Sequence, residues 1–381
     1  FTRSGTTWTQ QGNKLTGSGA VGAAQQGINV AISGDGNTVA SGGFADDNYK
    51  GAVWAFARYG NAWAQVGDKI TGNDYTGAAR QGSSVSLRGD GSRLIMGGYQ
   101  DNNRQGAVWT FGTDGCVWTQ LGPKLVGTGG TSQAWQGYSV SLSADGNTMA
   151  VGGNADNNLA GAAWVYAYAG SAWTQQTRLV GTQAAGAARQ GNSVSLSTDG
   201  SVITVGGSGD DSNKGAVWVY RKTGAGWAQQ GAKIKGSNAV GAAKQGTSVS
   251  VSANGTTAII GGPSDNTNKG AFWVYVPATS IPAMQQVMLE ERSEATAALR
   301  LDQNIPNPFT GSTTITFSIP EACVAEWEIS DVSGRVIQLL RRAYAEGENT
   351  ESFDLSENSG VFYYRLKTPF GTESRKMLIV R

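Results

Sequence analysis

The chain has 381 residues with 29 Lys and Arg against 28 Asp and Glu, which gives room for two domains with real cores and a nearly neutral balance. That balance argues against nucleic acid or a polybasic membrane role, and the lack of histidine excludes His-based triads, His metal sites and imidazole acid-base catalysis. Cys116 and Cys323 fall in different predicted domains, so packing rather than a disulfide framework must hold the fold, and no apolar run approaches the roughly 20 residues of a transmembrane helix.

From the first residue onward the sequence repeats itself with a period of about 55 residues. Trp54, Trp109, Trp164, Trp218 and Trp273 each sit in a G-A-x-W stretch, and Trp8, Trp63, Trp118, Trp173 and Trp227 each open a W-[TA]-Q segment. Phe1 aligns with Phe56, so the segment around Trp8 reads as a fourth strand with none before it. Each later unit holds four strand-like runs. In the third unit they are Val140–Ser143, a hairpin turn at Asp145-Gly146, Met149–Gly153, a polar Asp/Asn loop, Gly161–Tyr166, and a run near Trp173. In the third strand Ala52, Trp54 and Phe56 face one way and Val53 and Ala55 the other, so both faces are apolar and each sheet needs a neighbour on each side. Serines alternating through the first strand suit a crowded central axis. The expectation is an all-β fold: a β-propeller of four-stranded blades over 1–276, five of them visible, with the N-terminal strand completing the last blade.

Segments such as G-Y-S-V-S-L-S-A-D-G-N-T-M-A-V-G-G (137–153) followed by G-A-A-W-V-Y (161–166) resemble the FG-GAP-type repeats of bacterial surface proteins, distantly similar to integrin α propellers. The resemblance implies a surface or adhesive role. It departs from integrins at the hairpin turns, which read S-G-D-G, R-G-D-G, S-A-D-G, S-T-D-G and S-A-N-G in place of D-x-D-x-D-G, so calcium is doubtful there and no cofactor is expected. Arg88-Gly89-Asp90 falls on one of these turns and is read as part of the repeat.

On the blade face that carries the longer loops, the repeat collects Asp46, Asp101, Asp156, Asp210 and Asp265, three residues past Gly-Gly. These form either a carboxylate ring for cations or sugar hydroxyls, or acceptors for their own turn backbone. Gln26, Gln81, Gln136, Gln190 and Gln245 are predicted to brace the start of the first strand. The position before them varies as Gln25, Arg80, Trp135, Arg189 and Lys244, and Trp135 offers an aromatic face for a sugar or a protein partner. The acids repeat with the ring instead of converging as unlike groups at one place, which suits binding rather than catalysis. The leading expectation is a non-enzymatic adhesion protein, and the alternative is a lectin with repeated sites between blades.

The repeat stops at Pro277, and 277–298 is a linker. In 299–381, L-D-Q-N-I-P-N-P-F-T-G-S-T-T-I-T-F-S-I-P, D-V-S-G-R-V, G-V-F-Y-Y-R-L and R-K-M-L-I-V-R alternate as strands between turns, predicting an Ig-like β-sandwich. In that order these words resemble the type A C-terminal sorting domain of the type IX secretion system of Bacteroidetes. The resemblance implies export, engagement of the secretion machinery, and a secreted or surface-attached product.

Overall fold

The alternating runs become strands in the computed structural model, which describes residues 1–4, 6–276 and 299–380. Two compact units result, dividing near residue 280. The predicted linker 277–298 lies outside the described residues.

In the first unit a short hairpin, β1 (Thr2–Ser4) with β2 (Thr7–Thr9), precedes five blade-like sheets among the described residues. Blade 1 is β3 (Asn29–Ile32), β4 (Thr38–Gly43), β5 (Ala52–Tyr59) and β6 (Ala62–Gln65); blade 2 is β7 (Ser84–Leu87), β8 (Arg93–Gly98), β9 (Ala107–Thr113) and β10 (Trp118–Gln120). Blade 3 is β11 (Ser139–Leu142), β12 (Thr148–Gly153), β13 (Ala162–Ala169) and β14 (Ala172–Leu179); blade 4 is β15 (Gln190–Leu196), β16 (Val202–Gly207), β17 (Ala216–Thr223) and β18 (Gly226–Gln229). Among the described residues blade 5 has three strands, β19 (Ser248–Val251), β20 (Ala258–Gly262) and β21 (Ala271–Tyr275). Each blade is an antiparallel meander. The first strands of neighbouring blades touch in succession, and residues of all five border one cavity, the arrangement of a propeller around a channel.

The core forms between blades, as two-sided apolar strands require. Val53, Ala55 and Ala40 of blade 1 meet Val85, Leu87 and Trp109 of blade 2, and Ala163 and Val165 of blade 3 meet Val194, Leu196 and Trp218 of blade 4. Trp54, Trp109, Trp164 and Trp218 are fully buried, and each indole N–H donates to the loop ahead of its blade, Trp164 Nε1 to Thr128 O at 2.9 Å. The loop comes so close that a Cβ on Gly127 would stand 2.2 Å from the Trp164 ring, which is why glycine holds that position. Each predicted bracing glutamine clamps the same glycine from both sides: Gln136 Oε1 accepts from Gly127 N and Gln136 Nε2 donates to Gly127 O.

The Asp/Asn loops form single left-handed turns. Asp47, Asn48 and Tyr49 have φ of 46°, 56° and 65°, and the other four blades repeat this with Asn102, Asn157, Asp211 and Asn266 in the first place. Asn and Asp tolerate this region better than other side chains, and that accounts for the polar runs.

The expected completion of blade 5 by the N-terminal strand is corrected. Among the described residues β2 pairs with β1, in the register Thr2↔Thr9, Arg3↔Trp8 and Ser4↔Thr7, and β21 is the outer strand of its sheet. A hairpin closes a loop of a few residues, whereas pairing with β21 closes one of the whole unit, so local pairing has the smaller entropic cost.

The hairpin turns between first and second strands hold their own carboxylates. Ser33 Oγ donates to Asp35, Ser197 Oγ donates to Asp199, and these bonds hold both carboxyls below the usual carboxylate range. A depressed folded value means that the contribution is complete above the unfolded pKa of about 4 and is lost as pH falls through the folded value. Thermal unfolding midpoints are therefore expected to be level from neutral pH to about 5 and to fall below about 4. Removing both hydroxyls, Ser33→Ala with Ser197→Ala, should lower the plateau and shrink that fall.

The second unit is a β-sandwich. Strands β22 (Arg300–Leu301), β23 (Ser312–Ile319) and β26 (Gly347–Asp354) form one sheet, and β25 (Val336–Tyr344), β24 (Cys323–Asp331), β27 (Gly360–Thr368) and β28 (Gly371–Ile379) the other. Phe317, Trp327, Phe353, Tyr364, Leu366 and Met377 fill the space between them. The Asn-Ile-Pro-Asn-Pro-Phe stretch ties the last strand in place. Asn304 is buried and donates to Thr313 Oγ1, Asn307 Oδ1 accepts from Leu378 N, and Phe309 inserts into the core.

Candidate functional site

The five repeated aspartates lie inside the blades. Asp46, Asp101, Asp156 and Asp210 are at most 1% exposed and Asp265 is 8% exposed. Their partners are not their own turns. One carboxylate oxygen accepts from a backbone N–H of the preceding loop, at Val21, Thr76, Thr131, Ala185 and Val240. In four blades the other oxygen meets a cation that follows the fourth strand or lies on it: Lys69, Lys124, Arg178 and Lys233. In blades 1 to 4 the aspartate thus ties a loop and the fourth-strand segment to its blade, while the described side-chain bond of Asp265 ties the loop alone, and this geometry is that of a scaffold.

The variable position is different. Gln25, Arg80, Trp135, Arg189 and Lys244 all have φ between 54° and 58°, so one left-handed residue in each repeat carries a side chain of varying type onto the loop face. Gln25, Arg189 and Lys244 are exposed, while Arg80 and Trp135 are half-buried. The structure brings these two, though not the other three, into one aromatic arc. The Arg80 guanidinium lies 5.2, 5.0 and 5.7 Å from the ring centres of Phe44, Tyr49 and Tyr99 and donates to Tyr99 Oη at 2.7 Å. Trp135 packs on Tyr99 at 5.5 Å and on Tyr138 at 6.2 Å, with Arg104 over its ring. The Arg80 Nε is buried and has no hydrogen-bond partner among the described residues.

Phe44, Tyr99 and Tyr138 also border the mouth of the channel, a cavity of about 460 Å³. Its remaining wall is made of hydroxyls, amides, valines and Ile28, including Asn29, Ser83, Ser139, Asn192 and Thr247, and among the described residues no charged side chain lines it. Just behind, Asn154 is buried and donates to Asn192 Oδ1, while its own Oδ1 has no partner among the described residues. The site is therefore asymmetric: aromatic toward blades 1 to 3 and polar toward blades 4 and 5.

Sequence reasoning reached Arg80 and Trp135 but missed Phe44, Tyr99 and Tyr138. The signal was present in two further columns of the repeat that change from unit to unit. After Gly-Gly the units read Phe44, Tyr99, Asn154, Ser208 and Pro263, and after Gln-Gly they read Ile28, Ser83, Tyr138, Asn192 and Thr247.

Residues 305–380 match the family described as the secretion system C-terminal sorting domain. That tail marks an exported protein that engages the type IX secretion machinery and is secreted or held at the outer surface. No helix among the described residues is long and apolar enough to cross a membrane. Curated proteins contain no match. Among solved structures, hydrazine synthase of Kuenenia stuttgartiensis is similar at 12% identity and a TM-score of 0.40, over 93% of this chain and 80% of that one. The β-propeller domain of the trilobed protease from Pyrococcus furiosus is similar at 10% identity and a TM-score of 0.37, over 92% and 94%. Likenesses of this degree carry no functional implication.

Proposed function

We propose that this chain is an exported, non-enzymatic adhesion protein that binds a glycan-bearing partner at the channel mouth of its propeller. One observation carries the reading: a wall free of charge and rich in hydroxyl and amide groups adjoins the Tyr99, Trp135 and Tyr138 rings. Neutral sugars present apolar ring faces for stacking and hydroxyls for hydrogen bonding, and this surface offers both. The repeated aspartates are taken up by ties inside their own blades, which supports a single asymmetric site over a set of equivalent carboxylate-lined lectin pockets. Against catalysis, the acids near this face are committed to cations and backbone within each blade.

The test is a glycan array probed with the full chain and with Trp135→Ala. Binding of neutral glycans, reduced about 10- to 100-fold in the variant, is the expected result, because truncating one aromatic anchor typically costs more than 1 kcal/mol. A protein partner is the second reading, favoured by the aromatic and cationic Phe44–Tyr49–Arg80 edge of the arc. It would be indicated by a blank array together with Trp135-dependent binding to host or bacterial surface protein.

A further inference from the structure

The near-zero total charge of the chain conceals a division. Residues 1–276 hold 19 Lys and Arg against 14 Asp and no Glu, and the acids that restore the balance lie in 277–381. Five of the 14 stand on turns at the end of the blades far from the channel mouth: Asp35, Asp90, Asp145 and Asp199 after first strands, and Asp114 after a third strand. Arg58, Arg88, Arg93, Arg221 and Lys222 share that end and offset them, so the surplus of cations collects at the mouth.

Toward blades 4 and 5 the acids of the mouth end are already engaged. Asp156 meets Arg178, Asp210 meets Lys233, and the buried Asp265 accepts from Val240 N. Asp211 is shared by two ammoniums, Lys214 and Lys235, each 3.4 Å away, which leaves one positive charge over. Arg189, Lys244 and Lys269 are exposed and form no ion pair among the described residues.

Two of these cations are fixed at the edge of the uncharged wall. Arg189 O accepts from Asn192 N at 3.1 Å, and Lys244 O accepts from Thr247 N at 3.1 Å and from Thr247 Oγ1 at 2.7 Å. Asn192 and Thr247 line the cavity. On the other side Arg189 N donates to Leu159 O and Lys244 N to Asn213 O, both at 2.8 Å, and Gln245 N donates to Lys214 O at 2.9 Å, which sets Lys244 beside Lys214. At φ of 55° and 54° the backbone of Arg189 and Lys244 requires only a left-handed residue, which glycine or asparagine supplies with the least strain. A long cationic side chain adds nothing to that joint. Like charges on Lys214, Lys235 and Lys244 also oppose one another, so packing does not account for them.

We propose that the glycan taken at the channel mouth is acidic: a neutral sugar unit lies against the aromatic arc and the hydroxyl and amide wall, and a carboxylate or sulfate ester on the next unit is held by Arg189 and Lys244. This rests on the glycan reading of the mouth. The uncharged wall disfavours an anion inside the cavity, because burying a charge without a partner is costly. The rim outside it offers guanidinium and ammonium donors to anionic oxygens, and an anion there relieves the repulsion among the lysines. Exposed ion pairs are individually weak, so the rim contributes preference and faster encounter rather than most of the affinity, and salt screens it.

The test compares three probes on the full chain: chondroitin oligosaccharides, in which a neutral N-acetylhexosamine alternates with a uronic acid, the same oligosaccharides with their carboxyls reduced to alcohols, and their sulfated forms. At about 0.01 M salt the acidic probes should bind about 3- to 10-fold more tightly than the reduced one, and the advantage should shrink at about 0.15 M. A gain on the unsulfated oligosaccharides assigns the rim to carboxylates, and a gain on the sulfated ones alone assigns it to sulfate esters. Arg189→Gln with Lys244→Gln should bring the three probes to about the same affinity. Arg221→Gln with Lys222→Gln removes the same charge from the opposite end of blade 4, where Lys222 N donates to Ser201 O, and should leave the advantage in place. Equal affinity for acidic and reduced probes overturns the proposal, and so does an advantage that survives the rim variant or disappears equally in the far-end variant. The reading of the mouth itself is judged separately, by whether the reduced probe binds and Trp135→Ala weakens it, and if no probe binds both fall.

Discussion

Trp164→Ala is expected to lower the stability of the propeller unit by about 3–5 kcal/mol, toward the upper end of that range. The indole is fully buried among Ile95, Val108, Met149 and Val151, and its N–H is bonded to Thr128 O. What surrounds it is largely backbone: Cβ atoms built on Gly127, Gly130 and Gly153 would lie 2.2, 2.6 and 2.6 Å from the ring. Backbone cannot swing into a void as a side chain can, so the cavity stays open, and Thr128 O loses its indole donor and keeps only the longer bond from Gln175 Nε2. Trp273→Ala in blade 5 is the internal comparison, since its indole makes the equivalent bond to Ser237 O but is only half-buried. Denaturant unfolding, followed by far-ultraviolet circular dichroism, should place the midpoint of Trp164→Ala well below that of Trp273→Ala. Equal midpoints would mean that the glycine-lined pocket collapses after all.

That contrast between blades shows where the sequence was legible. A two-sided apolar strand such as Ala52–Phe56 can be satisfied only by neighbours on both sides, so the side-by-side sheets followed from alternation alone. The sorting domain was readable because its motifs occupy core and turn positions in a fixed order, with Phe309 and Met377 buried and Asp331 closing its turn on Ser333 and Arg335. Closure of the ring was not legible. It depends on whether Trp8 pairs with Arg3 nearby or continues the sheet of β21, and both pairings suit the same residues. The site was half legible for a related reason. Asp210 repeats because every blade needs its tie, whereas Tyr99 and Trp135 stand in columns that do not repeat, and a repeat draws attention to what recurs. Which variable columns converge depends on how loops from adjacent blades meet, as Tyr99 of blade 2 meets Tyr138 ahead of blade 3.

Asp210→Ala is expected to cost about 3–5 kcal/mol, because removing one partner of a buried pair leaves the other charge without compensation. Asp210 is fully buried, accepts from Ala185 N at 2.7 Å and from Lys233 Nζ at 2.5 Å, and the Lys233 side chain is 11% exposed. The alanine therefore strands both an ammonium and a backbone N–H. Asp210→Asn keeps an oxygen for Ala185 N and removes only the charge, so its loss should be smaller. Adding Lys233→Met to Asp210→Ala should recover part of the stability, since the stranded cation goes with it, and a double-mutant cycle on unfolding free energies would measure the coupling. The same series separates a structural aspartate from a ligand-binding one. If Asp210 were part of a carboxylate ring for sugars or cations, Asp210→Asn would abolish binding at unchanged stability. As a tie between loop, strand and blade, it should instead lose stability first, with glycan binding of the still-folded fraction intact.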